Sequence, residues 1–232
     1  MKVQPIKTRI FKEGEELFRF VTDHIKSLKD GSVLVVTSKI VALSERRTAI
    51  PADSRAKERL IREESEVALL TKHTWLTIKD GLLVASAGID ESNANGKLIL
   101  LPRDSFKSAQ AIRLKLRQKY GIKNLGVLIT DSRTIPLRAG AIGMAVGYAG
   151  FRAIKDYRKT PDIFGRKYKL SRANTADGLA AAAVLVMGEG REQQPLAIIT
   201  GAPIEFCDRI RRRELLIDIE DDMYRPLFIK FR

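Results

Sequence analysis

The sequence is poor in the residues that most often carry covalent or metal chemistry. Cys207 is the only cysteine in 232 residues, so an intrachain disulfide is excluded and a reducing, cytoplasmic setting is expected. The two histidines, His24 and His73, stand far apart; with one cysteine they supply no zinc ligand set. Aromatic residues make up only 6% of the chain, so the core must be built from Leu, Ile, Val and Ala. No apolar run approaches the ~20 residues that span a bilayer. The start, Met1-Lys2-Val3-Gln4-Pro5, leads into no apolar signal region, and no membrane association is expected. There is no P-loop and no His-Glu-x-x-His, and the spacing of Gly140, Gly143, Gly147 and Gly150 does not spell a dinucleotide fingerprint.

Positive charge, by contrast, is in excess. Lys and Arg number 42 against 28 Asp and Glu, for a net charge of +14. Such a surplus attracts polyanions, whether nucleoside triphosphates, anionic cofactors or nucleic acid, and a solvated basic surface would look the same. The Arg209, Arg211, Arg212 and Arg213 cluster is the best nucleic-acid candidate. Nucleic acid is disfavoured as a partner, because the basic residues are not interleaved with stacking aromatics.

Strands are expected at 33–37, 74–79, 82–86, 97–101, 125–130, 141–148, 195–200 and 226–231. Asp80-Gly81 marks a tight hairpin between the second and third of these. Helices are expected at 53–70, at 105–120 (capped by Asp104 or Ser105 and ended by Gly121), and at 175–187 (capped by Thr175 and stopped at Gly188). Residues 150–174 read as a loop-rich connection. Strands and helices mix without strict alternation, which predicts one α+β domain over 1–232.

Three segments place carboxylates beside expected element ends: Ala87-Gly88-Ile89-Asp90-Glu91-Ser92-Asn93, Thr130-Asp131-Ser132 and Met187-Gly188-Glu189-Gly190. Hard oxygen ligands of this kind suit Mg²⁺ or Mn²⁺ shared with substrate phosphates. Three ordinary turns would carry the same residues. Ser38-Lys39, after the first expected strand, is a candidate phosphate contact, and Arg138 is a candidate for neutralising transferred charge.

The order of these segments resembles the coenzyme F420:L-glutamate ligase (γ-glutamyl ligase) family from about residue 5 to residue 201. The carrying pieces are GSVLVVTSKIV at 31–41, AGIDESN at 87–93, LLPRDSFKSAQAIR at 100–113, ITDS at 129–132, DYRKTPDIFGRKY at 156–168 and ADGLAAAAVLVMGEG at 176–190. The resemblance implies a γ-glutamyl ligase-like fold of mixed sheets and packed helices, in an intertwined homodimer. It implies GTP- and divalent-metal-dependent joining of L-glutamate to a cofactor carboxylate through an acyl phosphate, with K⁺ as a further candidate ion. Asp90, Asp131, Ser132 (where the family has Thr) and Glu189 would bind metal. Arg9, Ile10, Phe11, Lys12, Ser38, Lys39, Asn93, Gly188 and Gly190 would contact GTP, and Lys39 and Arg138 would act in catalysis.

Departures from the family pattern cluster in one place. TDTFGRPWRxGQ becomes TDSRTIPLRAGA at 130–141, Leu43 stands where the family often has Lys, and DYRG becomes DYRK at 156–159. Metal-type residues are better kept than their surroundings. That pattern fits the same phosphoryl chemistry on another acceptor such as a folate. It also fits a non-catalytic relative that binds GTP or nucleic acid.

Overall fold

In the computed structural model, residues 1–209 and 211–228 are described. The chain runs through β1 (Lys2–Ile6), α1 (Leu17–His24), β2 (Ser32–Thr37), α2 (Ser38–Ser44), β3 (Thr48–Ala49), α3 (Ser54–Glu63), β4 (Val67–Leu70), β5 (Trp75–Lys79) and β6 (Leu82–Ala85). It continues through β7 (Leu98–Ile99), α4 (Ser105–Tyr120), β8 (Leu125–Thr134), β9 (Ala141–Ala149), β10 (Ile154–Asp156), β11 (Arg172–Asn174), α5 (Thr175–Met187) and β12 (Leu196–Thr200). The main sheet has the order β1-β12-β2-β8-β9. Only its β2–β8 pair is parallel; the others are antiparallel. Smaller sheets, β4-β5-β6, β3-β7 and β10-β11, complete an α+β fold. No helix among the described residues is long and apolar enough to cross a membrane.

β2 reads as an unbroken apolar run because both of its faces are covered. Leu34 and Val36 point into one core with α1 and α4, while Val33 and Val35 point into a second core with α5. α4 forms where expected. Asp104 accepts from the Lys107 amide, Gly121 sits at φ 63, and Ala109, Ile112 and Leu116 are buried. The β5–β6 hairpin turns through Asp80 (φ 51) and Gly81 (φ 75), two successive left-handed residues, as the dipeptide demands.

Several expected boundaries differ. The helix over 53–70 is two elements, α3 and then β4. The Glu64 carboxylate accepts from Arg47 (2.6 Å) and Lys79 (3.0 Å), and the Glu66 amide donates to Ile78 (2.8 Å), which draws the chain off the helix axis onto β5. The strand over 97–101 shrinks to Leu98–Ile99, because its partner β3 offers only Thr48 and Ala49 to pair with, the Leu100 amide adding one last bond to the Arg47 carbonyl. The strand over 125–130 extends to Thr134, since β9 keeps pairing with it. Asn174, not Thr175, caps α5 by accepting from the Asp177 amide. Of the strand over 226–231, residues 226–228 belong to a helical turn, Arg225–Phe228, and 229–231 lie outside the described residues.

α5 approaches β9 closely because Gly143 has no side chain. A Cβ there would lie 2.5 Å from the Ala180 carbonyl and 2.6 Å from the Val184 Cβ. Gly178, on the exposed side of α5, meets nothing within 4 Å. Gly143→Ala should therefore cost about 1–3 kcal/mol through overpacking. Gly178→Ala should add about 0.5–1 kcal/mol by reducing the freedom of the unfolded chain. Urea unfolding of the two variants checks this; shifts of the same sign would contradict the packing described.

Candidate active site

The site is assembled by the parallel pair. Thr37 lies opposite Thr130 across β2 and β8, so the next residues, Ser38 and Asp131, leave the register side by side. Crevices at the carboxyl ends of parallel strands are where such sheets bind ligands. A β-bulge between Ile129 and Thr130 shifts the β8–β9 pairing immediately before Asp131, and bulges of this kind re-aim side chains. Asp131 is therefore inside a bulged strand and not in the turn expected for it.

Asp90 arrives from the other side on a strained turn. Ser86 (φ 48), Ala87 (φ 57) and Gly88 (φ 71) are successive left-handed residues. A buried Thr77 hydroxyl props the turn, accepting from the Ala87 amide at 2.8 Å and donating to the Val84 carbonyl at 2.7 Å. Asp90 then pairs both ways with Ile99. Strain of this sort persists only where the surroundings over-determine it.

Lys39 joins these parts. Its ammonium lies 2.7 Å from Asp90 Oδ2 and donates to the Ser92 carbonyl (2.9 Å) and hydroxyl (3.0 Å). Ser92 returns two bonds to Asp90, from its amide (2.6 Å) and its hydroxyl (3.1 Å). Burial works to raise the Asp90 pKa, but Lys39 and Ser92 outweigh it and hold the carboxyl below its ordinary value. Asp131 goes the other way. The residue keeps some exposure, yet its carboxyl is enclosed, and burial pushes it up to about 7. The Asp90 charge adds to that rise, while the Ser132 amide, Lys39 and Ser38 oppose it.

The turn after α5 bonds to both carboxylate-bearing segments. Glu189 Oε1 accepts from the Ser132 hydroxyl at 2.6 Å, and the Asn93 amide donates to the Gly190 carbonyl at 3.2 Å. The loop carrying Arg9–Lys12 is tied at its two ends: the Thr8 amide bonds to the Gln193 carbonyl, three residues beyond Gly190, and the Gly14 amide to the Leu43 carbonyl in α2. Within it, Arg9 is held by Glu15 at 2.9 and 2.6 Å, Ile10 and Lys12 are exposed, and Phe11 is buried against Phe20. Any ligand contact at Phe11 is thus left to its main chain. Arg138 is the outlier. It lies on the exposed turn between β8 and β9, seven positions beyond Asp131, and does not join the cluster. Leu137, in the same turn, is fully exposed.

Three neighbours were not singled out in the sequence. Ser92 had a usable signal, because Asp-x-Ser favours a side-chain-to-amide turn. Glu91, which pairs with Lys57 of α3, had none. Glu192, whose carboxylate takes the Gly190 amide at 2.8 Å, had none either.

Among the described residues no three His, Cys, Asp or Glu side chains gather into a metal-binding group. Two carboxylates do face each other, and one retains a proton up to about neutrality because of burial and its neighbour. All-oxygen donors short of a full set suit a hard divalent ion that takes its remaining ligands from water and phosphate. The residues therefore fit such an ion, which Asp90 and Asp131 would hold directly with the Ser132–Glu189 pair as further oxygen donors.

The raised Asp131 pKa has a stability consequence with a definite sign. Unfolded, the group loses its proton near 3.8; folded, it does so only near 7. Between these values the native state holds the extra proton, so this group's contribution to stability falls as pH rises and levels off above about 7. In chelator, the stability of wild type relative to Asp131→Asn should therefore fall between pH 4.5 and 7.5. Urea midpoints across that range measure it, and a constant difference would contradict the assignment.

Comparison with known proteins matches the same segments. A family model described as F420-0:Gamma-glutamyl ligase matches residues 5–201. A coenzyme F420:L-glutamate ligase of Methanocaldococcus jannaschii is 31% identical over 243 residues, covering 97% of this chain and 97% of that protein. That of Archaeoglobus fulgidus is 34% identical over 234 residues, covering 93% and 92%. That of Methanothermobacter thermautotrophicus is 36% identical over 200 residues, covering 77% and 78%. The matched stretch contains the parallel pair, the strained Asp90 turn and the turn after α5, and the chain belongs to the F420-0:gamma-glutamyl ligase family.

Proposed function

We propose that this protein joins the amine of L-glutamate to a carboxylate of a cofactor such as the coenzyme F420 named in its relatives, using GTP and a divalent metal ion. The observation that carries the reading is the Lys39–Asp90–Asp131 cluster beside the carboxyl ends of the parallel strands.

A carboxylate is a poor electrophile and must be activated before an amine attacks it. An acceptor carboxylate oxygen attacks the γ-phosphorus of GTP, GDP leaves, and an acyl phosphate forms. The neutral amine of glutamate then attacks the acyl carbon, inorganic phosphate leaves, and the nitrogen gives up its proton. A Mg²⁺ or Mn²⁺ ion held by Asp90 and Asp131 would offset charge on the phosphoryl group. The protein's own part is positional. Asp90 and Ser92 fix the Lys39 ammonium, which supplies a preorganised positive charge next to Asp131. Asn93 and Gly190 tie the two walls of the cleft. Ser38, the Arg9–Lys12 loop and Gly188–Gly190 would contact the nucleotide. An intertwined homodimer and a K⁺ requirement belong to the same reading.

A ligation assay tests it: GTP, L-glutamate, Mg²⁺ or Mn²⁺, and deazaflavin or folate acceptors, with phosphate and γ-glutamyl product both measured. Wild type should form product only with GTP and metal, and chelator should abolish turnover. Asp90→Ala and Lys39→Met should each lower kcat by about 10²-fold or more with the fold retained. GTP-dependent product from wild type in excess chelator would contradict the reading.

A further inference from the structure

The 150–174 connection is an arm built on the β10–β11 pair, and it takes no part in the cleft described above. Its strands and turns are well bonded: Lys159 N–H to the Tyr168 carbonyl (2.9 Å), Tyr168 N–H to the Thr160 carbonyl (3.0 Å), and Tyr157 N–H to the Ser171 carbonyl (3.0 Å). Residues 152–172 carry eight basic residues against two acidic ones, Asp156 and Asp162. Asp156 is taken by Arg158, its Oδ2 lying 2.6 Å from Nη2. Asp162 accepts the amides of Phe164 and Arg166. Among the described residues, Lys159, Lys167 and Lys169 are left without an acidic partner. With Asp156, Arg158 and Tyr168 they line an open cavity of about 610 Å³.

One of these lysines stands where the backbone favours glycine. Lys159 has φ 69, a left-handed conformation that costs a side-chain-bearing residue about 1–2 kcal/mol. It stands on the same cavity as the two other unpaired lysines, so three ammonium groups with no acidic partner line one opening.

We propose that this cavity binds a small polyanion, a molecule with two or more phosphate or carboxylate groups, and that it holds such groups of the acceptor or product away from the reacting carboxylate. The second half rests on the ligase reading. Each ligation removes one acceptor carboxylate and brings in the two of glutamate, so the product is one charge more negative than the acceptor. The arm lies at the Thr175 end of α5 and Glu189 follows its other end. Thirteen helical residues at about 1.5 Å each separate them by roughly 20 Å. A ligand that reached from the arm to Glu189 would therefore be elongated, with its anionic end on the arm.

Direct binding to the full-length protein tests the cavity without turnover, using tri-γ-glutamate and inorganic tripolyphosphate as probes in calorimetry at two salt concentrations. Wild type should bind both, more weakly at high salt. Lys159→Gly should raise the melting temperature by about 2–4 °C per kcal/mol of strain relieved while weakening the probes up to about fivefold. A merely structural lysine would not show that opposition. The Lys159/Lys167/Lys169→Ser variant should lose probe binding. In the ligation assay it should raise the acceptor KM with the GTP KM and kcat unchanged. The proposal is overturned if wild type binds neither probe, if only an RNA oligonucleotide binds, or if the triple variant keeps wild-type probe affinity. It is overturned equally if an active triple variant keeps the acceptor KM. Should wild type show no ligation at all, the ligase reading fails by itself, and the probe titrations still decide whether the cavity takes a polyanion.

Discussion

The parallel pairing of β2 with β8, with Thr37 opposite Thr130, carries Ser38 and Asp131 out of the sheet side by side, and every other part of the cleft is arranged around that juxtaposition. Parallel neighbours need a long crossover, and here the crossover is residues 38–124. It contributes α2 with Lys39 at its start, the small sheets, the Asp90 turn and α4. The same long excursion that makes the pairing possible thus brings the second carboxylate to the first. α5, drawn close over Gly143, then delivers Glu189 to Ser132.

Charge is balanced unevenly in this arrangement. Lys39 is committed to Asp90 and Ser92, which leaves Asp131 enclosed with only partial compensation. A buried carboxyl with no cation of its own is a standing cost, and it is relieved when positive charge arrives. The strained Ser86–Gly88 turn and the bulge before Asp131 are further irregularities, one just ahead of each of the two carboxylates.

How much of this was legible in the sequence follows from locality. α4 was readable because its cap, its apolar face and its terminal glycine all lie within the segment, and the β5–β6 hairpin because Asp80-Gly81 dictates its own turn. The end of α3 was not readable, since it is set by Arg47 and Lys79 reaching Glu64 from distant sequence. Asp90, Asp131 and Glu189 were identifiable as residues of the right type, but their meeting depends on β-sheet register and on a bulge that no local pattern encodes. Arg138 shows the same limit: seven residues separate it from Asp131 in sequence, but where it sits depends on a strand that runs on to Thr134 before the turn that carries it.

The most direct test of the account is the titration of the Asp131 carboxyl, followed by ¹³C NMR in chelator and then with Mg²⁺ and GTP. The account predicts a midpoint at about 7 in chelator and a fall below the ordinary carboxylate range, about 4, once metal and nucleotide are bound. A midpoint near 4 in chelator, or one near 7 that metal and GTP leave unmoved, would contradict it.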